Sequence, residues 1–123
     1  MEDPVLESKN IIDRFRLDGR TALVTGGGQG IGRAFAHGLA EAGARVAVVD
    51  ISMEHAAAVE KELSDKGCEA MAIVTDVTDQ GQVKDMVKKI VDPWGSITIG
   101  VNNAGMGIWS DAATMEKSEW DRL

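Results

Sequence analysis

Short apolar runs alternate with amphipathic stretches along most of this chain, a pattern that predicts consecutive βα units. Thr21-Ala22-Leu23-Val24 is a largely apolar run closed by glycines, which predicts a central strand buried on both faces. Behind the glycines, Ile31, Ala34, Phe35, Gly38, Leu39 and Ala42 recur at the spacing of one helix face, and Gly43 is placed to end that helix. Arg45 to Asp50 predicts a second buried strand. Ser52 then suits the cap of a helix running to about Lys66, with Gly67 beyond its end. Met71 to Thr75 predicts a third strand. Asp79-Gln80-Gly81-Gln82 has the form of a capping box for a helix with the stripe Val83, Met86, Val87, Ile90 and Val91, closed by Pro93 and Gly95. Ile97 to Val101 predicts a fourth strand that runs into Asn102-Asn103-Ala104-Gly105, and the segment from Thr114 has the composition of a helix start.

Three βα units in succession imply an α/β fold with a doubly wound parallel sheet, and right-handed crossovers place its strands in the order 3-2-1-4. The order reverses between strands 1 and 4, and ligands of such sheets bind in the crevice at the carboxyl ends of the strands there. Both glycine-containing segments, Gly26 to Gly32 and Asn102 to Gly105, arrive at that crevice. Residues 1–19 read as a charged arm without sustained periodicity, ending at the turn signal Asp18-Gly19; residues 20–123 read as one domain. No repeat or low-complexity stretch interrupts them.

Composition narrows the partners. The net charge of -7 argues against nucleic acid or an anionic membrane surface as the main partner. Cys68 is the only cysteine, so neither an internal disulfide nor a Cys-rich metal site is expected. The first ten residues lack the apolar run of a signal peptide or membrane span, which makes the cytoplasm the expected location. No metal is expected.

The motif that carries chemistry is Thr25-Gly26-Gly27-Gly28-Gln29-Gly30-Ile31-Gly32. Its glycines allow a tight turn at the strand end, close approach of a pyrophosphate to the backbone, and close packing of helix on strand. The helix N-terminus then offers unpaired N–H groups and a positive dipole end to phosphates. Asp50 ends strand 2 about 20 residues later, where an acid accepts hydrogen bonds from adenosine ribose hydroxyls. The same carboxylate repels a 2′-phosphate, by about 4 kcal/mol per unit charge at ~4 Å and an effective dielectric near 20. NAD is therefore expected in preference to NADP. The lysines Lys84, Lys88 and Lys89, and the histidines His37 and His55, read as solvated side chains.

Thr25-Gly26-x-x-x-Gly30-Ile31-Gly32, Asp50, Asp76-Val77 and Asn102-Asn103-Ala104-Gly105, in this order, resemble the amino-terminal half of a short-chain dehydrogenase/reductase. The resemblance runs from about Asp18 to Leu123. It implies a Rossmann-like sheet, truncated after its fourth strand, and a cofactor site at Gly26, Gln29, Gly30, Ile31, Gly32, Asp50, Ile51, Asp76, Val77, Asn102, Ala104 and Gly105. Asp76 would face the adenine amino group and Val77 would pack near the ring; Asn102 and its neighbours would line the cofactor and brace strand 4. Gln29 and Ile51 stand where many NADP-using relatives carry a basic residue.

The family's chemistry uses a tyrosine, a lysine four residues on, a serine and an asparagine. This chain contains no tyrosine. The implied function is thus the cofactor-binding half of an NAD-dependent oxidoreductase of alcohol or ketone groups, of the polyol, sugar or secondary-alcohol type. A substrate of that kind is implied only for a full-length form, and these residues alone are expected to have no catalytic residue and no activity. The alternatives are a non-catalytic NAD-binding or interaction module, or a non-functional shortened product. Two departures stand out: Thr98 occupies the family's usual acid position, and Gly100 falls inside strand 4. An uncovered strand 4 is expected to be open to self-association.

Overall fold

The computed structural model describes residue 7 and residues 10–123, so the first part of the expected arm lies outside the described residues. Four parallel strands form one sheet: β1 (Thr21–Thr25), β2 (Arg45–Asp50), β3 (Ala70–Val74) and β4 (Ile99–Val101). Their order is β3-β2-β1-β4, as the crossover argument predicts. Helices α1 (Gly30–Glu41), α2 (Met53–Asp65) and α3 (Gln80–Trp94) make the crossovers, and a short α4 (Lys117–Arg122) follows β4.

Alternation along β2 divides the core between the two faces. Val46 and Val48 point to a cluster with Ala22, Val24, Ala36, Ala40, Ala56, Val59 and Leu63, from β1, α1 and α2. Ala47 and Val49 point the other way, to Ile73 and to Met86 and Ile90 of α3. A strand with helices on both faces is apolar through its interior, which is why β2 reads as a continuous run from Val46 to Val49.

On α1 the buried face differs from the expected one. Gly32, Ala36 and Ala40 are buried, whereas Ile31 and Phe35 are 70% and 45% exposed. The reason is the close approach of this helix to β1: a Cβ on Gly32 would lie 2.1 Å from the Gly26 carbonyl oxygen. Only the small-residue row at i, i+4, i+8 fits against so near a backbone, so the larger apolar row is turned outward.

The caps of α2 and α3 fall where expected. Ser52 accepts from the His55 N–H at 3.3 Å, and the Asp79 carboxylate accepts from the Gly81 and Gln82 N–H groups at 2.8 and 3.1 Å. Gln82 does not return to the Asp79 N–H as a capping box would; its Oε1 accepts from the Asp76 N–H at 2.8 Å and ties the β3–α3 loop down. Pro93 does not end α3, which continues to Trp94. Proline removes one N–H donor from the last turn, and the Gly95 N–H closes the helix onto the Val91 carbonyl at 2.7 Å.

The strand-4 ladder is shorter than the apolar run, starting at Ile99. Thr98 nevertheless braces it: its Oγ1 accepts from the Thr21 N–H at 3.1 Å and its own N–H donates to the Thr21 carbonyl at 2.9 Å. Within the described part of the arm, a single 3-10 turn spans Ile12–Phe15, and the Leu17 N–H donates to the Ala42 carbonyl at 2.8 Å, docking Leu17 on the core.

Candidate dinucleotide site

The carboxyl ends of the four strands open into a cleft of about 620 Å³ between the β1–α1 turn and the segment after β4. Gly26, Gln29, Gly30, Ile31, Gly32, Asp50, Ile51, Asp76, Val77, Ala104 and Gly105 all line it, with Thr75, Thr78, Asn103, Met106 and Arg122. Eleven of the twelve residues expected at a cofactor site are thus brought together. Asn102 is the other; it is exposed and outside the lining.

The bracing expected of Asn102 and its neighbours is made by Asn103. Asn103 Nδ2 donates to the Thr25 and Gly26 carbonyls at 3.2 and 3.3 Å, and the Asn103 and Ala104 N–H groups donate to Thr25 Oγ1 at 3.1 and 3.0 Å. Thr25 Oγ1 in turn donates to the Val101 carbonyl at 3.4 Å. One buried hydroxyl and one amide therefore join the glycine turn to the end of β4 and hold both walls of the cleft. The sequence signal for this pair was adjacency to the glycines, with nothing in the spacing to separate Asn103 from Asn102.

The glycine turn has the conformation its residues allow. Gly26 and Gly30 have φ of 62° and 57°, in the left-handed region that side chains avoid. A Cβ at Gly30 would meet nothing within 4 Å, so the backbone there faces open space. Helix α1 begins immediately after, and its N-cap residue Gln29 makes no side-chain cap, unlike Ser52 and Asp79 on the two following helices. Its first-turn N–H groups are left for a ligand, beside the positive end of the helix dipole.

On the β2 side, Asp50 is 7% exposed, yet both carboxylate oxygens are held: Oδ2 accepts from the Gly28 N–H and Oδ1 from the Ser52 N–H, each at 3.0 Å. Each oxygen keeps a further lone pair for a hydroxyl donor. Gly28 is required here, because a Cβ would stand 2.8 Å from Asp50 Oδ2 and 2.6 Å from the His55 Cβ. At the β3 end, Thr78 donates to Asp76 Oδ1 through both its hydroxyl and its N–H, at 2.7 and 2.9 Å. Those bonds hold the Asp76 carboxyl below the usual carboxylate range, so it is ionised at neutral pH and offers only hydrogen-bond acceptors.

These groups fit an adenosine dinucleotide: acceptors for ribose hydroxyls and for an exocyclic amine, an apolar surface at Val77, and uncapped N–H donors for a pyrophosphate. Thr75, 3% exposed, is among the residues lining the same cleft, and its Oγ1, itself buried, has no hydrogen-bond partner among the described residues. No group of three or more metal-ligating side chains occurs among the described residues. No described helix is long and apolar enough to cross a membrane.

His37 is not the solvated side chain expected of it. Its Nε2 pairs with Glu62 of α2 at 2.7 Å and its Nδ1 lies 3.0 Å from Lys66 Nζ, away from the cleft, in a network that also contains Arg33 and Glu41. Cys68 is half-buried at the opposite, amino-terminal edge of the sheet, beside Arg16, Glu41 and Lys66.

Residues 20–123 match the family model for short chain dehydrogenases. A sorbitol dehydrogenase of Cereibacter sphaeroides is 45% identical over 108 residues, which are 88% of this chain and 41% of that protein. A gluconate 5-dehydrogenase of Burkholderia cenocepacia J2315, solved with NADP and tartrate, superposes with a TM-score of 0.83 at 41% identity, covering 91% of this chain and 44% of that one. A 7α-hydroxysteroid dehydrogenase solved with NADH and a 7-oxo bile acid gives 0.85 at 35% identity, covering 89% and 43%. The chain spans less than half the length of each. The matched region contains the whole sheet, the glycine turn and both walls of the cleft, and the chain belongs to the short-chain dehydrogenase family.

Proposed function

We propose that this chain is the cofactor-binding half of a cytoplasmic NAD-dependent oxidoreductase acting on an alcohol or ketone group of a polyol, sugar or secondary alcohol. The observation that carries the reading is Asp50, buried at the end of β2 with both oxygens fixed by backbone N–H groups and facing the cleft. A carboxylate fixed in place cannot swing away from a 2′-phosphate, which favours NAD. Its neighbours on the chain and in the cleft wall, Ile51 and Gln29, supply no compensating cation; among the described residues the one cation lining the cleft, Arg122, comes from α4. Relatives bind either cofactor, so the preference rests on this carboxylate rather than on the family. The polyol and sugar reading draws on the sorbitol and gluconate dehydrogenases.

When bound, the nicotinamide supplies the hydride acceptor or donor. The residues here hold the adenosine and pyrophosphate end, and none of them supplies the family's tyrosine acid/base. These 123 residues are accordingly proposed to bind without catalysing. Calorimetric titration of the folded chain with NAD and NADP tests the site, with NAD expected to bind at least about tenfold more tightly. Absence of NAD binding, or equal affinity, rejects the reading. Reduction of NAD with sorbitol by the purified chain would overturn the expected lack of catalysis.

A further inference from the structure

We propose that His37 is a proton-controlled latch between α1 and α2: the neutral ring holds Lys66, the C-cap residue of α2, and a gained proton releases it. Lys66 Nζ lies 3.0 Å from His37 Nδ1 and donates to Glu41 Oε1 at 2.6 Å. An ammonium group has donors and no acceptor, so Nδ1 must be the acceptor in that contact. The ring hydrogen of the neutral imidazole then sits on Nε2, which donates to Glu62 Oε2 at 2.7 Å. The contacts thus select one tautomer, with both ring nitrogens tied to the end of α2.

A second ring proton ends this arrangement. It turns Nδ1 into a donor, and two donors that both carry positive charge then face each other at 3.0 Å. The other side of the ring keeps its acceptor, because Glu62 also takes two hydrogen bonds from Arg33 and its carboxyl is lowered to about 2. Lys66 is the partner that can leave. Its side chain is 48% exposed, Glu41 already binds it, and the two line a hollow of about 490 Å³ at the amino-terminal edge of the sheet, which gives its flexible four-carbon stem room. The His37 side chain is 19% exposed, so a proton reaches it without parting the helices. Among the described residues, the charged groups around the ring are Arg33 and Glu41 from α1 and Glu62 and Lys66 from α2 and its cap; Lys61 and Asp65 of α2 pair with each other. After release Lys66 rests on Glu41 alone, and the helix pair is tied through the ring only at Glu62.

Long-range proton–nitrogen NMR spectra of the histidine rings in the whole chain test the latch. They are recorded from about pH 8 downward through the range, about 8 to 5, in which imidazoles ordinarily change charge, until both nitrogens of the ring carry protons. His37→Gln identifies the His37 signals by their loss and separates them from those of His55. At the upper end the His37 ring is expected as a single tautomer, bare at Nδ1 and protonated at Nε2, with a cross-relaxation contact between its Hε1 and the Lys66 side chain. That contact is expected to disappear once the ring is doubly protonated, while the contact from Lys66 to Glu41 stays. Lys66→Met removes the donor and is expected to shift the Nδ1 resonance of the neutral ring downfield, leaving Nε2 in place. A ring protonated at Nδ1 in its neutral form, an Nδ1 resonance unmoved by Lys66→Met, or a Lys66 contact that survives double protonation overturns the proposal; the last of these is read in the unsubstituted chain and needs no variant to fold.

Discussion

Single atoms decide much of this site. A methyl group at Gly32 would meet the Gly26 carbonyl oxygen at 2.1 Å and Asn103 Nδ2 at 2.5 Å, striking both the turn and the amide that braces it. Gly32→Ala is therefore expected to lose at least about 1–3 kcal/mol and NAD binding with it. Gly38, on the outer side of the same helix, has nothing within 4 Å of its would-be Cβ. Gly38→Ala is expected to gain roughly 0.5–1 kcal/mol from helix propensity; urea denaturation of the two variants reads both signs. Asp50 has two roles that substitution separates. In Asp50→Asn the charge goes while one oxygen still accepts an N–H, so the NAD-over-NADP ratio is expected to fall toward one at a stability cost of about 1–3 kcal/mol for the second N–H. Paired titrations with the two cofactors check it; an unchanged ratio would remove Asp50 as the selecting group.

Between elements, the junction of α1 and α2 is electrostatic as well as apolar. Arg33 and His37 of α1 both reach Glu62 of α2, and the hydrogen bonds from Arg33 first, then His37, lower the Glu62 carboxyl to about 2. The folded pKa lies below the ordinary value of 4.5, so the bridge stabilises above about 4.5 and its contribution disappears as pH falls toward 2. With the Glu62 side chain 35% exposed, solvent screening limits the effect to about 1 kcal/mol or less. The difference in unfolding free energy between the chain and Glu62→Gln should accordingly shrink from pH 6 to pH 2, and a difference that grows on acidification would contradict the assignment. The two outer strands also differ. The Glu60 carboxylate accepts from the Ala72 N–H at 3.0 Å and blunts the free side of β3, whereas among the described residues no such contact covers β4. Thr98, at the position where the family's usual acid is expected, accepts from the Thr21 N–H with a neutral hydroxyl.

At the scale of the molecule, the β4 edge and the outward apolar row of α1, Ile31 and Phe35, form surface that this chain does not cover with its own described residues. We propose that the 123-residue chain self-associates through β4, and sedimentation over a concentration series is expected to show it; a monomer at every concentration rejects the proposal. Charge at β4, as in Gly100→Lys, should raise the concentration at which association begins. The sheet order, the two-sided burial of β2, the caps at Ser52 and Asp79 and the cleft position of eleven of the twelve expected site residues were legible in the sequence, because side-chain period, cap chemistry and crossover handedness are local or near-local rules. What folding alone decided were contacts between segments far apart in the chain. The inward face of α1 followed from how closely Gly32 meets Gly26, not from which residues are most apolar. Thr25 joined Asn103 across 78 positions, and Thr75 came to lie with an unpaired hydroxyl beside two acids. Periodicity assigns residues to faces, but steric distance and hydrogen-bond satisfaction are properties of atoms brought together in space, and those only the assembled sheet supplies.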